Sequence, residues 1–215
     1  MTGAALALAA CVSAPLPDTA PQTEQSATAP SPSQESQAFA RYYRSIEAQL
    51  VGDGLLRTDG GVTDAPFSAA MLAANFERIA LYDEYAMVGG RFIQRQTPAR
   101  LRRWESPVRL QAHFGPTVSA RQQAEDRSIL STYAARLSRV TGHPITTVRS
   151  GGNFHVMYLG RDDQRNAGDL VAQHVPGVGA DVIAEMEQLP RSTFCAVYAF
   201  SESGGRPVYV TAVAI

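Results

Sequence analysis

Apolar residues along the chain recur at two spacings, and the spacing changes from segment to segment. Phe39, Tyr42, Tyr43, Ile46 and Leu50 fall three to four apart and Gly52 follows, which predicts a helix with its stop. Asp53–Asp64, with its glycines, reads as a loop. Ser68 can cap a second helix whose apolar side, Leu72, Phe76, Ile79 and Ala80, runs on to Tyr85 before Gly89-Gly90 breaks it. Arg91–Gln94 reads as a short strand. Pro107–Phe114 alternates: Val108, Leu110, Ala112 and Phe114 face one way, Arg109, Gln111 and His113 the other, as in a half-buried strand. Ser119 and Gln122 have capping-box spacing, and the helix behind them carries Leu130, Tyr133, Leu137 and Val140 until Gly142 and Pro144 end it.

The rest of the chain mixes short elements of both kinds. Ile145–Val148 and Phe154–Leu159 read as strands around a Gly151-Gly152 turn. Asp169–His174 and Ala180–Leu189 read as short helices, the second closed by Pro190. Phe194–Phe200 and Val208–Ile215 read as two strands, with Ser203-Gly204-Gly205 suggesting a hairpin between them. Interspersed periods predict one α+β domain over residues 38–215, a mixed, mainly antiparallel sheet packed with helices. No internal repeat is present. Val208–Ile215 is apolar and stops without cap or polar tail, the pattern of a buried terminal strand or of a C-terminally truncated domain.

Ahead of the domain, Val12–Gln37 is rich in Pro, Ser, Thr, Ala and Gln without apolar periodicity, so it reads as a disordered tether. Before it stand Leu8-Ala9-Ala10-Cys11, small residues leading to a cysteine at the end of an apolar stretch. This looks like the lipobox of a bacterial lipoprotein, making residues 1–11 a signal remnant and Cys11 the lipidated residue. The protein would then sit on the periplasmic face of a membrane in the cell envelope. Signal peptides open with a positively charged region, but the first basic residue here is Arg41. Two readings follow: the true start lies upstream of Met1, or Cys11 is an ordinary cysteine in an alanine-rich N-terminus.

The 215 residues are 45% hydrophobic with a formal net charge of -1, which offers no field for nucleic acid or anionic lipid. No apolar run approaches the roughly 18–20 residues of a membrane span. All 19 basic residues are arginine. Without lysine there is no Schiff-base lysine, P-loop lysine or Ser-x-x-Lys pair. If Cys11 carries lipid, Cys195 is left alone, which in an exported protein suggests a missing partner or a free thiol.

No complete catalytic constellation emerges, so catalytic and metal residues are expected to be absent. The histidines at 113, 143, 155 and 174 form no His-x-x-x-His pair and have no Cys or acidic residue at ligand spacing. They read as surface or satisfied histidines, with His143 and His174 placed at helix C-termini where a cation is favoured. There is no Gly-x-Ser-x-Gly elbow and no dinucleotide fingerprint. Arg91, Arg95, Arg100, Arg102, Arg103 and Arg109 surround Trp104. Such a segment can bind anions, but Asp83, Glu84 and Glu105 are near, so internal pairing with arginine stacked on Trp104 competes with an anion- or peptidoglycan-contacting patch of Arg102, Arg103, Trp104, Asp83 and Glu84. Asp83 and Glu84, adjacent on a predicted helix, would point about 100° apart and not converge as a dyad.

Three blocks carry a family resemblance: Phe76-Glu77-Arg78-Ile79-Ala80-Leu81-Tyr82-Asp83-Glu84-Tyr85; Leu101-Arg102-Arg103-Trp104-Glu105 with Pro107-Val108-Arg109; and Leu137-Ser138-Arg139 with Thr141-Gly142 and Pro144-Ile145. From about Phe39 to Ile215 the chain resembles a family of bacterial lipoproteins catalogued as domain of unknown function 2927. The resemblance implies a zincin-like domain related to metallopeptidases. In the family pattern a cysteine and a helix with a His-Glu motif follow the strand matching Val208–Ile215. That cysteine would be a natural disulfide partner for Cys195. The resemblance therefore implies a domain lacking its C-terminal helix, with zinc and peptidase activity conceivable only in a longer form. Extension through that helix is expected to raise the melting temperature, because a covering helix buries several side chains at roughly 1.5–3 kcal/mol each. The alternative is a non-enzymatic envelope interaction module built on the arginine–tryptophan segment.

Overall fold

A computed structural model describes residues 30–56, 66–89, 91–202 and 206–215. Cys11, most of the tether, most of the Asp53–Asp64 loop and the Ser203-Gly204-Gly205 turn lie outside the described residues. The elements in order are α1 (Gln34–Gly52), α2 (Ala69–Ala80), β1 (Tyr82–Val88), β2 (Arg91–Pro98), β3 (Val108–Phe114), α3 (Ala120–Thr141), β4 (Ile145–Val148), β5 (Phe154–Tyr158), α4 (Arg161–Gln164), α5 (Gly168–His174), α6 (Ala180–Glu187), β6 (Val197–Ser201) and β7 (Tyr209–Ala214).

The fold is α+β, with a mixed sheet in the order β4-β3-β5-β7-β6 and a separate hairpin of β1 and β2. The main sheet corrects the expectation of a mainly antiparallel one. β3 pairs in parallel with both β4 and β5, and β5 in parallel with β7; only β6 runs antiparallel to its neighbour β7. The reason is topological. α3 carries the chain from β3 back to β4 in the same direction, as a helical crossover does, whereas the passage through α4 to α6 delivers β6 antiparallel to β7 and so opposite to β5. The Gly151-Gly152 turn makes no hairpin either. It passes the chain from β4 across β3 to β5.

Each face of the sheet has its own core. On one, Val108 and Leu110 pack with Ala134 of α3, joined by Trp104, Leu130, Ile145 and Phe154. On the other, Met157 and Val213 pack with Val171 and Val175 at α5 and with Val182 and Met186 of α6. Because β3 is covered on both sides, its polar face is not free to solvent: Gln111 is buried.

Local chemistry sets most boundaries. The Ser33, Ser68 and Ser119 hydroxyls accept from the backbone N–H groups of Ser36, Met71 and Gln122, satisfying helix N-terminal donors. Only half of the expected capping box forms, since the Gln122 side chain donates to Asp126 at 2.8 Å. Gly142 closes α3 in the left-handed region at φ 67.

Two helices turn differently from expectation. In α3 the inward stripe runs through Leu130 and Ala134, leaving Tyr133 and Val140 exposed. The helix α2 stops at Ala80, and Tyr82–Val88 is a strand paired with β2. Its apolar face is exposed: Leu72, Phe76 and Ile79 are uncovered among the described residues. The first helix starts at Gln34, ahead of the expected Ala38, because Ser33 caps it. It docks through Ser33 on Asp162, Glu35 on Arg165 and Phe39 under the Arg161 guanidinium.

Candidate metal centre

Three of the four histidines meet where β3, β5 and the end of α5 come together. The 151–153 loop is clipped to β3: Asn153 Oδ1 accepts from Arg109 N at 2.7 Å, and Gln111 Oε1 accepts from Gly152 N at 2.9 Å. A Cβ at Gly152 would come within 2.5 Å of Gln111 Cβ, so only glycine allows this approach. The clip sets β5 so that His155 lies opposite Gln111 and Met157 opposite His113. Both histidines thereby fall on the face covered by α5. On that helix Val171 and Val175 are buried against the sheet, and His174 shares their side of the turn.

The rings are close. His113 Nε2 and His155 Nδ1 are 3.0 Å apart and share a hydrogen bond whose direction depends on the tautomer. The His174 ring lies 4.3 Å from His113 and stacks on His155 at 4.6 Å, centroid to centroid. One ring nitrogen from each lies within 4.8 Å of the others. Tetrahedral zinc with N ligands at about 2.0–2.1 Å holds neighbouring nitrogens about 3.3–3.4 Å apart, between the 3.0 Å of the His113–His155 pair and the 4.8 Å that bounds the group. His155 is 2% exposed; His113 and His174 are half-buried.

The environment disfavours the charged form of His113 and His155. Burial foremost, then the neighbouring His174 and His155 rings and Arg127, push His113 down to about 4. Burial and His174 push His155 down to about 4 as well. A neutral imidazole with a free lone pair is the form that ligates metal. Among the described residues no carboxylate or thiolate joins the group.

Sequence spacing gave no sign of this cluster, because its members stand 42 and 19 residues apart on three elements. The signal present was weaker: polar residues on the second face of a strand between two others. Of the two readings, surface or satisfied, His155 fits the second, being buried with its Nδ1 hydrogen-bonded to His113. His143 stands apart, its Nε2 3.0 Å from the Ser106 carbonyl oxygen.

The other marked residues are arranged differently. Asp83 and Glu84 lie on strand β1, not on a helix, so they point to opposite faces. Asp83 pairs with Arg102, and Glu105 bridges Arg103 at 3.6 Å and Arg206 at 3.1 Å. Trp104 tilts against Phe154 and Tyr209, at 6.2 and 5.9 Å, and among the described residues no arginine stacks on it. Cys195 is an exposed free thiol.

The model of one protein family, described as protein of unknown function (DUF2927), matches residues 69–215. The chain belongs to this family. The DUF2927 match starts at α2 and takes in the whole sheet and all three clustered histidines, leaving α1 outside. No curated protein and no solved structure matches the chain significantly. No described helix is long and apolar enough to cross a membrane.

Proposed function

We propose that this DUF2927 domain is the metal-binding body of a lipid-anchored cell-envelope protein, with His113, His155 and His174 holding one divalent transition metal ion, zinc foremost. The convergence of three imidazoles from three elements, one ring nitrogen of each within 4.8 Å of the others, carries the reading. Imidazole suits zinc, copper, iron and nickel, and availability rather than affinity favours zinc. The lipobox at Leu8–Cys11 and the Pro/Ser-rich segment behind it support anchoring through Cys11.

The zinc implied by a zincin-like relationship is a different site. A zincin holds its metal with two histidines four residues apart on one helix, and no such pair exists in this sequence. Peptidase chemistry therefore belongs to this reading only in a longer form of the protein, and no step is assigned to the residues present.

Zinc titration of the EDTA-treated full chain by calorimetry tests the metal reading. One zinc per chain is expected, lost in His113→Ala and in His174→Ala, retained in His143→Ala, with folding followed by circular dichroism. Absence of zinc binding, or equal binding by the folded His113→Ala and His174→Ala proteins, overturns it.

A further inference from the structure

Resting on the reading of the three histidines as a metal centre, we propose that this centre keeps one outward coordination position that takes a monovalent anion from solution, a small carboxylate foremost. Three neutral nitrogens leave the full charge of a divalent ion uncompensated. Closed structural zinc sites have four protein ligands, whereas three leave a fourth position to water or a solute.

Among the described residues the surroundings offer no carboxylate or thiolate as a fourth ligand. Gln111, the buried polar neighbour opposite His155 on β3, already spends its Oε1 on the Gly152 N–H. His143 is held at Ser106, away from the group. Arg127 places a cation beside β3, its guanidinium 4.5 Å over the ring of Phe114, the residue after His113.

Access is one-sided. His155 is sealed at 2% exposure, while His113 and His174 are half-open, so the free position faces solvent past those two rings. The ligand class that fits is small and singly charged, with an oxygen or nitrogen donor, because a single position on a divalent ion with three neutral ligands is what it fills.

Cobalt(II) makes the test direct, since its visible absorption reports coordination. The full chain is loaded with cobalt and titrated with sodium acetate, and separately with sodium azide, at constant ionic strength. The expected result is a saturable change in the visible bands with each anion, acetate competing with azide. Tetrahedral cobalt bands that neither anion alters mean a closed fourth ligand and overturn this inference while the metal reading stands. Failure to take up cobalt or zinc overturns the metal reading and this inference with it. An unchanged azide response in His174→Ala places the anion elsewhere and also overturns it.

Discussion

Met186→Ala tests whether the helical layer over the histidines is built as described. Met186 is fully buried and packs in one cluster with Met157, Val171, Val175, Val182 and Val213. The change removes roughly three methylene equivalents, about 2.5 kcal/mol of transfer free energy at about 0.8 kcal/mol each. A cavity term adds to this, because the Gln164 side chain donates to the Met186 carbonyl at 3.0 Å and holds the backbone in place. The expected loss is about 3–4 kcal/mol, inside the usual range of about 2–5 for buried methionine to alanine. Against a domain stability of about 5–15 kcal/mol the protein should fold but melt well below the parent. Urea unfolding of the metal-free full chain measures this, with Ile129→Ala as control. Ile129 is 60% exposed on α3, so its truncation should stay within about 0.5 kcal/mol. A Met186→Ala loss below about 1 kcal/mol with an unchanged denaturant slope, or one equal to that of Ile129→Ala, would refute the packing of α6 against α5 and the sheet.

Three further outcomes are expected. Gly142→Ala forces an alanine into the left-handed region at the end of α3 and should cost about 1–2 kcal/mol in the same assay. In the metal-free protein, His113 and His155 resist protonation down to about 4, whereas an unfolded histidine accepts a proton near 6.5. The unfolded chain thus binds more protons between these values, so stability is full above about pH 6.5 and falls as pH drops toward 4. Urea midpoints in EDTA should be lower at pH 5 than at pH 7.5, with a smaller difference in His113→Asn; an equal difference in that variant contradicts the assignment. Cys11→Ser should move the protein from the membrane to the soluble fraction and remove the lipid mass; unchanged fractionation rules out anchoring at that cysteine.

Where one segment decides its own structure, the sequence was readable. The Ser68 and Ser119 caps, the closing Gly142 and the half-buried stripe Phe39, Tyr42, Tyr43, Ile46 and Leu50 all follow from neighbours in the chain. Strand direction was not readable, because parallel pairing of β3 with β4 and β5 depends on which crossovers the helices make. The span Tyr82–Val88 continued a helical spacing from α2, and pairing with β2 overrode it. The histidine group failed to show for the same reason as the sheet. His113 and His155 become neighbours only through the β3–β5 register, and His174 only once Val171 and Val175 seat α5. The alternation in β3 was read as one wet face, yet that face is the floor of the centre. Trp104 stood among arginines in sequence, but its partners Phe154 and Tyr209 come from distant strands.

The clip between Gln111 and Gly152 has a kinetic side. It joins β3 to the loop that delivers β5, so the first two histidines can be brought together by a 42-residue stretch from His113 to His155 while α5 is still unformed. An ion caught by that pair would then draw in His174 last, closing a shorter loop of 19 residues from His155. A ligand that binds the folded chain alone stabilises it by about 2.7 kcal/mol at one hundred times its dissociation constant. With His174 joining last, metal supplied during refolding should slow unfolding more than it speeds folding.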